Sequence, residues 1–290
     1  MRNDDCVRYI GSKAVEAMLM EAVCAPAPGL VDRYNSGAHT DMDIFTFMRS
    51  TAALGPAMYS CAACGYMHED SLSALLRRIR PIGRQAEIDM FAATDGVNTQ
   101  KGLLFVMGIL CAATGAVYHQ VHGQEDAVTA EKILTYVKEM CRNLVAEELE
   151  AMQIDEGAMT AGQRLFKQYG IRGIRGEVED GLPAVLYTGL PAYKAAKKAA
   201  VNDDVVLLHT LLALMTVTED TTIVHRHNPQ QLRDVQADAR HIMALGGALT
   251  DEGLQAIADL DAKYSRRHIS PGGSADLLAV THFLYEVTAG

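Results

Sequence analysis

The sequence has no excess of basic residues: 26 Lys and Arg face 36 Asp and Glu, a net charge of -10, and the pI is near 5.4. A general nucleic-acid binder is excluded, because phosphate backbones attract clustered Lys and Arg. Any anionic ligand must be held locally. The opening MRNDDCVRY has no basic stretch followed by an apolar core, so it does not read as a secretory signal, and a cytoplasmic location is expected. Long apolar runs are scarce too. The longest uncharged one, Gly102 to Tyr118, contains Gly and Thr and falls short of the roughly 20 apolar residues that cross a bilayer. It reads as a buried helix, and no membrane partner is expected. Six cysteines in a chain of 290 residues read as reduced thiols, since disulfide frameworks belong to short secreted scaffolds. Cys61 and Cys64 form a lone CxxC without two further zinc ligands at matching spacing, and they read as core.

Strict alternation of β-branched residues is missing, and so are internal repeats, low-complexity stretches and Ser/Gly/Pro-rich linkers. What remains is 49% hydrophobic content, enough for a sizeable core, with apolar residues recurring at helical spacing almost throughout. The expectation is an all-α, single-domain bundle over residues 1–290, with about ten helices and functional loops at helix ends. Asp43 caps a helix to about Tyr66; Asp70 caps another through Arg77 to Ala92, kinked by Pro81. Further helices are expected over Val7 to Cys24, Lys101 to His119, Thr129 to Met152, Pro183 to Ala200, Asp203 to Thr218, Pro229 to Leu245, Thr250 to His268 and Ser274 to Thr288. The stretches Leu104 to Val117, Val205 to Val217 and Leu277 to Leu284 are apolar on nearly every side and should form the centre.

Five short polar segments stand out against this background. The first, PGLVDRYNSGAHTDMD at 28–43, places Asp32, Arg33, His39, Asp41 and Asp43 in one loop opening onto a helix. Clustered carboxylates suit a hard divalent cation such as magnesium; N-capping by Asp43 and solvated loop charges are the plain alternative. The second, TDGVNTQKG at 94–102, turns at Asp95 and Gly96. Asn98 or Thr99 can cap the next helix, whose first turn holds Lys101, a natural phosphate site though not a Walker loop. The third, RGIRGEVEDGLP at 172–183, alternates Gly with Arg172, Arg175, Glu177, Glu179 and Asp180. Arg can there fork onto phosphate while a carboxylate binds metal or takes a proton, and a surface loop of internal salt bridges is equally open.

The fourth, EDTTIVHRH at 219–227, follows an apolar helix and carries Glu219, Asp220, His225 and Arg226. Carboxylates at a helix C-terminus oppose its dipole unless a metal or Arg compensates. The fifth, HISPGGSADLLA at 268–279, turns through Pro271, Gly272 and Gly273, lets phosphate approach the backbone, offers Ser274 as N-cap and has Asp276 nearby.

PGLVDRYNSGAHTDMD, DGVNTQKG, RGE followed by a Gly, DTTIVHR and ISPGGSADLLA occur in this order from about Pro28 to Leu284. That order resembles the triphosphoribosyl-dephospho-CoA synthase family. The resemblance implies an all-helical enzyme that joins ATP to 3'-dephospho-CoA with release of adenine, making the prosthetic-group precursor of citrate lyase or malonate decarboxylase. Such a transfer needs a bound triphosphate, stabilisation of an oxocarbenium-like centre and a base for the attacking hydroxyl. On this reading Asp32, Asp41, Asp43 and Asp220 are expected to hold Mg2+, with Glu177 or Asp180 as base. His39 orients a carboxylate or donates to the leaving adenine. Arg33, Asn98, Lys101, Arg175, Arg226, Ser270, Gly272, Gly273 and Ser274 bind substrate phosphates. ATP and dephospho-CoA are the expected partners, with hand-off of the product to a carrier-protein prosthetic-group transferase.

The sequence departs from the family's usual pattern at four places. Ala27 stands where Lys precedes Pro-Gly, Gln100 where His is common, Thr222 where Asn is common, and His227-Asn228 where Gly-Gly is common. Two rival functions use the same carboxylates: a metal-dependent N-glycoside or phosphoester hydrolase with water as acceptor, and a non-catalytic nucleotide-binding relative.

Overall fold

The computed structural model describes residues 3–122, 124–150, 159–199 and 202–288. Among these no strand occurs, and the chain folds as α1 (Asn3–Val23), α2 (Ile44–Tyr66), α3 (Leu72–Ala93), α4 (Lys101–Gln120), α5 (Ala130–Met140), α6 (Ala161–Tyr169), α7 (Gly173–Asp180), α8 (Leu190–Lys198), α9 (Asp203–Met215), α10 (Thr221–Arg226), α11 (Pro229–Ala244), α12 (Asp251–Arg267) and α13 (Gly272–Thr288). The all-α expectation holds.

Capping chemistry sets most helix starts. Asp43 Oδ1 accepts from Thr46 N at 2.8 Å while Thr46 returns a bond to the Asp43 backbone, a reciprocal capping box at the head of α2. Thr129, Asn202, Asn228 and Thr250 cap α5, α9, α11 and α12 with a single side-chain bond and no return bond. Three expected caps differ. Gln100, not Asn98 or Thr99, immediately precedes α4. Ser71, not Asp70, precedes α3, which continues through Pro81. Ser274 lies inside the first turn of α13 rather than before it.

The helix expected from Thr129 to Met152 is broken after Met140, where Asn143 takes a left-handed φ of 65° that an α-helix cannot contain; a π-helical turn, Ala146–Glu150, follows. A second π turn, Val185–Gly189, precedes α8. The far ends of these two expectations, residues 151–152 and 200, lie outside the described residues. Three helices lie outside the expected set: α7 and α10 fall within polar segments expected as loops and α6 in a stretch with no expected element, and at nine residues or fewer none is long enough to sustain an apolar period.

The centre lies where the sequence puts it. α4, α9 and α13 are buried along nearly their whole lengths, and the buried apolar residues form one continuous cluster from Cys6 to Val287. α4 packs most extensively on α2. Their axes come so close that a Cβ on Gly65 or Gly115 would strike a facing carbonyl, at 1.9 Å from Ala112 O or 2.3 Å from Ala62 O. α4 is the one described helix long and apolar enough to cross a membrane, yet 83% of that stretch is buried inside the bundle. Cys61 is buried in the same region, its thiol pushed up to about 12 by burial, which fits the core reading of the CxxC.

Candidate functional site

All five polar segments line one cavity of about 480 Å³. Five helices begin at its wall: α4 at Asn98–Gly102, α6 at Thr160–Gly162, α7 at Gly173–Arg175, α10 at Thr221–Thr222 and α13 at Gly272–Gly273. Each start carries the positive end of a helix dipole, which favours an anion, although Thr160 takes one N–H at α6 and Asp220 takes others at α10 and α13.

Most of the side chains singled out from sequence are on this wall. The half-buried His39 ring has Nε2 3.0 Å from Ser270 Oγ and Nδ1 3.5 Å from an Arg226 nitrogen, with Asp41 3.8 Å away. Burial, reinforced by the Arg226 charge, pushes its pKa down to about 4. Neutral His39 can therefore accept from Arg226 at Nδ1 and donate from Nε2 to Ser270. Arg226 is exposed and, among the described residues, has no carboxylate partner. Arg175 stacks over Phe105 and donates from Nε to Glu148 at 2.7 Å, and Arg80 grips the same carboxylate. Lys101 pairs with Glu87 at the surface, and its backbone N donates to Asn98 Oδ1 at 3.3 Å. Glu177 faces the cavity with its pKa raised, mainly by burial, while Ala184 N donates to its Oε2 at 3.3 Å.

Other expected site residues are placed elsewhere. Asp32 is buried behind the loop: Oδ1 accepts from Tyr34 N and Asn35 N at 2.7 and 2.9 Å, and Oδ2 accepts from Ala27 N at 3.1 Å. It shapes the turn. Asp43 is the α2 cap, Arg33 pairs with Asp204 on the surface, and Asp180 pairs with Arg172. Asp41 is exposed beside His39. Ala27 is buried in the core and does not line the cavity.

Asp220 shows how a missed helix changes an electrostatic argument. It does not end α9; it caps α10, with Oδ1 accepting from Thr222 N at 3.0 Å and Ile223 N at 3.4 Å. Its Oδ2 accepts from Ser274 N at 2.9 Å and Ser274 Oγ at 3.2 Å, so one buried carboxylate joins the N-termini of α10 and α13. Both dipoles now favour the charge. Burial still raises its pKa against these bonds.

The wall also holds carboxylates outside the expected set. Glu21, near the end of α1, is only 8% exposed. Its signal in the sequence is a charge on the apolar face that Ile10, Ala14, Ala17 and Met18 define at helical spacing. Asp276 reaches from α13 to the start of α4, where its Oδ2 lies so close to Gly102 that a Cβ there would sit 2.2 Å away. Gly102 is needed for that approach. Glu219 and His225 add exposed polar groups at the rim.

Fold and cavity together define an all-helical protein with a polar cavity lined by helix N-termini, cations and carboxylates. The chain belongs to the ATP:dephospho-CoA triphosphoribosyl transferase (CitG) family, whose model matches residues 7–290, and it is an enzyme of the transferase class. It is 41% identical over 281 residues, 97% of this chain and 88% of the relative, to the probable 2-(5''-triphosphoribosyl)-3'-dephosphocoenzyme-A synthase of Vibrio cholerae serotype O1. It is 40% identical over 289 residues (99% and 92%) to the protein of the same name from Pectobacterium carotovorum. It is also 40% identical over 277 residues (95% and 88%) to the 2-(5''-triphosphoribosyl)-3'-dephosphocoenzyme-A synthase of Pectobacterium atrosepticum. No solved structure matches the chain. The family read from the order of the five segments is borne out.

Proposed function

We propose that this protein transfers the triphosphoribosyl group of ATP to the ribose 2'-hydroxyl of 3'-dephospho-CoA, releasing adenine and forming 2'-(5''-triphosphoribosyl)-3'-dephospho-CoA. The observation that carries this reading is the cavity, where five helix N-termini and the cations Lys101, Arg175 and Arg226 meet buried carboxylates. The first set suits a triphosphate; the second suits the electron-poor carbon left when adenine departs.

In the proposed step the bond from C1'' to N9 of adenine breaks and a bond from C1'' to the 2'-oxygen forms. The hydroxyl proton goes to a base, adenine leaves with the bonding pair and takes up a proton, and charge balances overall. Glu177 is assigned as the base, since it faces the cavity and burial raises its proton affinity, whereas Asp180 is tied to Arg172. Neutral His39 acts as an oriented donor and acceptor, holding Ser270 and Arg226 in place. Lys101, Arg175, Arg226 and the Gly272–Gly273 turn hold phosphate oxygens.

Magnesium belongs to the same proposal, and carboxylates on the cavity wall with no cation of their own fit a hard cation shared with substrate phosphates. Bound there, it would offset triphosphate charge. Asp32, Asp43 and Asp220 already accept backbone N–H bonds, and Asp41 alone of the four expected ligands accepts no hydrogen bond among the described residues. The reaction is assigned to the cytoplasm, with the product passed through a carrier-protein prosthetic-group transferase to citrate lyase or malonate decarboxylase.

Incubation of the protein with ATP, dephospho-CoA and Mg2+, followed by mass spectrometry, should yield adenine and the triphosphoribosylated product in equal amounts. Adenine from ATP alone would mean that water is the acceptor. No product beside an active control enzyme would overturn the reading.

A further inference from the structure

α1 and α13 lie antiparallel, and the seam between them carries acidic residues at both ends. At the end remote from the cavity, Lys13 Nζ sits 2.9 Å from Glu16 and 2.8 Å from Glu286, and Tyr9 donates to the Glu286 backbone at 2.8 Å. His282 Nε2, buried and without a hydrogen-bond partner, lies 3.7 Å from Glu16. These three acceptors are close enough together for a metal, but an ammonium group already occupies that role.

Farther along the same seam, Glu21 of α1 and Asp276 of α13 reach the cavity wall. Neither carboxylate has a hydrogen-bond donor or an ion-pair partner among the described residues. Glu21 is more than nine-tenths buried and faces the cavity. Burial pushes its pKa up to about 7, and burial together with the Glu21 charge pushes Asp276 well above the usual carboxylate range. Two neighbouring carboxylates, one buried and one half-buried, without a counter-charge among the described residues must either hold protons or hold a cation. The walls around them are otherwise set for phosphate, and a cation between carboxylates and phosphates would satisfy both.

We propose that Glu21 and Asp276 bind a divalent cation of the magnesium class, and that the same ion takes its remaining ligands from substrate phosphate oxygens and water. Two protein carboxylates with open positions is the donor set such an ion uses when it is shared with a nucleotide. Gly102 completes the site, because only a residue without a side chain lets the Asp276 carboxylate lie against the start of α4. The phosphate half of this proposal rests on the nucleotide-transfer reading; the carboxylate half stands without it.

Mn2+ is the probe, followed by electron paramagnetic resonance of the free ion with the full chain, first without nucleotide and then with ATP. The wild-type protein should bind one Mn2+ that Mg2+ displaces, more tightly once ATP is present. Glu21→Gln and Asp276→Asn should each weaken binding at least tenfold, and Glu16→Gln at the far end of the seam should leave it unchanged. The melting temperature gives a second readout: Mg2+ should raise it in wild type and not in Glu21→Gln. Gly102→Ala keeps both charges yet should weaken Mn2+ binding several-fold by displacing Asp276. Equal Mn2+ affinity in wild type, Glu21→Gln and Asp276→Asn would overturn the proposal, as would a wild-type protein that binds no Mn2+ with or without ATP. Product formed by a protein that binds no Mn2+ would sink this site and leave the transfer standing. Mn2+ bound at Glu21 and Asp276 without any product would do the reverse.

Discussion

The two ends of the α1–α13 seam are built from the same residue types and treated in opposite ways. Glu16 and Glu286 are held by Lys13, and the ammonium group is drawn so strongly to them that its pKa is raised. Glu21 is buried and Asp276 half-buried with no such partner among the described residues, and desolvation raises the pKa of both. A neutralised pair holds two helices together; an unneutralised one stores a demand for positive charge that a ligand can meet.

Several substitutions break that contrast. The largest effect is expected at the cavity end, where Asp276→Asn should lower turnover by roughly a hundredfold, the scale of losing a group that stabilises developing charge. Adenine release measured by mass spectrometry checks it, with circular dichroism verifying the fold.

Next is the pH dependence of stability in the presence of a chelator. Glu21 has a folded pKa raised from 4.5 to about 7. Its favourable contribution is present below 4.5 and is lost as the pH climbs through 7, on the order of 3 kcal/mol. His39 runs the other way: with its pKa lowered from 6.5 to about 4, its contribution is full above 6.5 and is lost as the pH falls toward 4. Between pH 4.5 and 6.5 the two oppose each other. Relative to wild type, Glu21→Gln should therefore gain stability as the pH rises, and His39→Asn should lose it. Urea titrations at pH 5 and 7 read both slopes, and equal slopes in all three proteins would remove the contrast.

At the far end, Lys13→Met should destabilise the fold by about 1 kcal/mol at neutral pH, since the carboxylates it leaves are only partly buried. Turnover and Mn2+ affinity should not move. The smallest effect is expected at the rim, where Arg226→Ala should raise the KM for ATP roughly fivefold with little change in kcat, as for loss of an exposed phosphate contact.

Helix content was legible because the apolar period is sustained over long stretches, and α4, α9 and α13 stand at the centre as their all-round apolar surfaces require. Asp43 announced the start of α2 because a cap and its partner lie three residues apart. α7 and α10 were hidden, being eight and six residues long with little periodic pattern to display. That one omission reversed the meaning of Asp220, from a charge opposing the dipole of α9 to a cap shared by α10 and α13. The loop at 28–43 was singled out for its carboxylates, yet it gives the cavity His39 and turns Asp32 inward on its own backbone. Glu21 passed unnoticed because a single charge on an apolar helix face gives no sign of what it will meet.

The sequence by itself determined the helical class, the central helices, the cap of α2 and, through the order of five polar segments, the family. Local spacing suffices for these, since a helix and its cap are written in neighbouring residues. Only the tertiary structure decided which carboxylates face the cavity and which are spent on backbone N–H groups. That choice depends on contacts between residues far apart in the chain, as when α13 brings Asp276 against Gly102 and beside Glu21, and a buried charge takes its character from whichever partner the fold delivers.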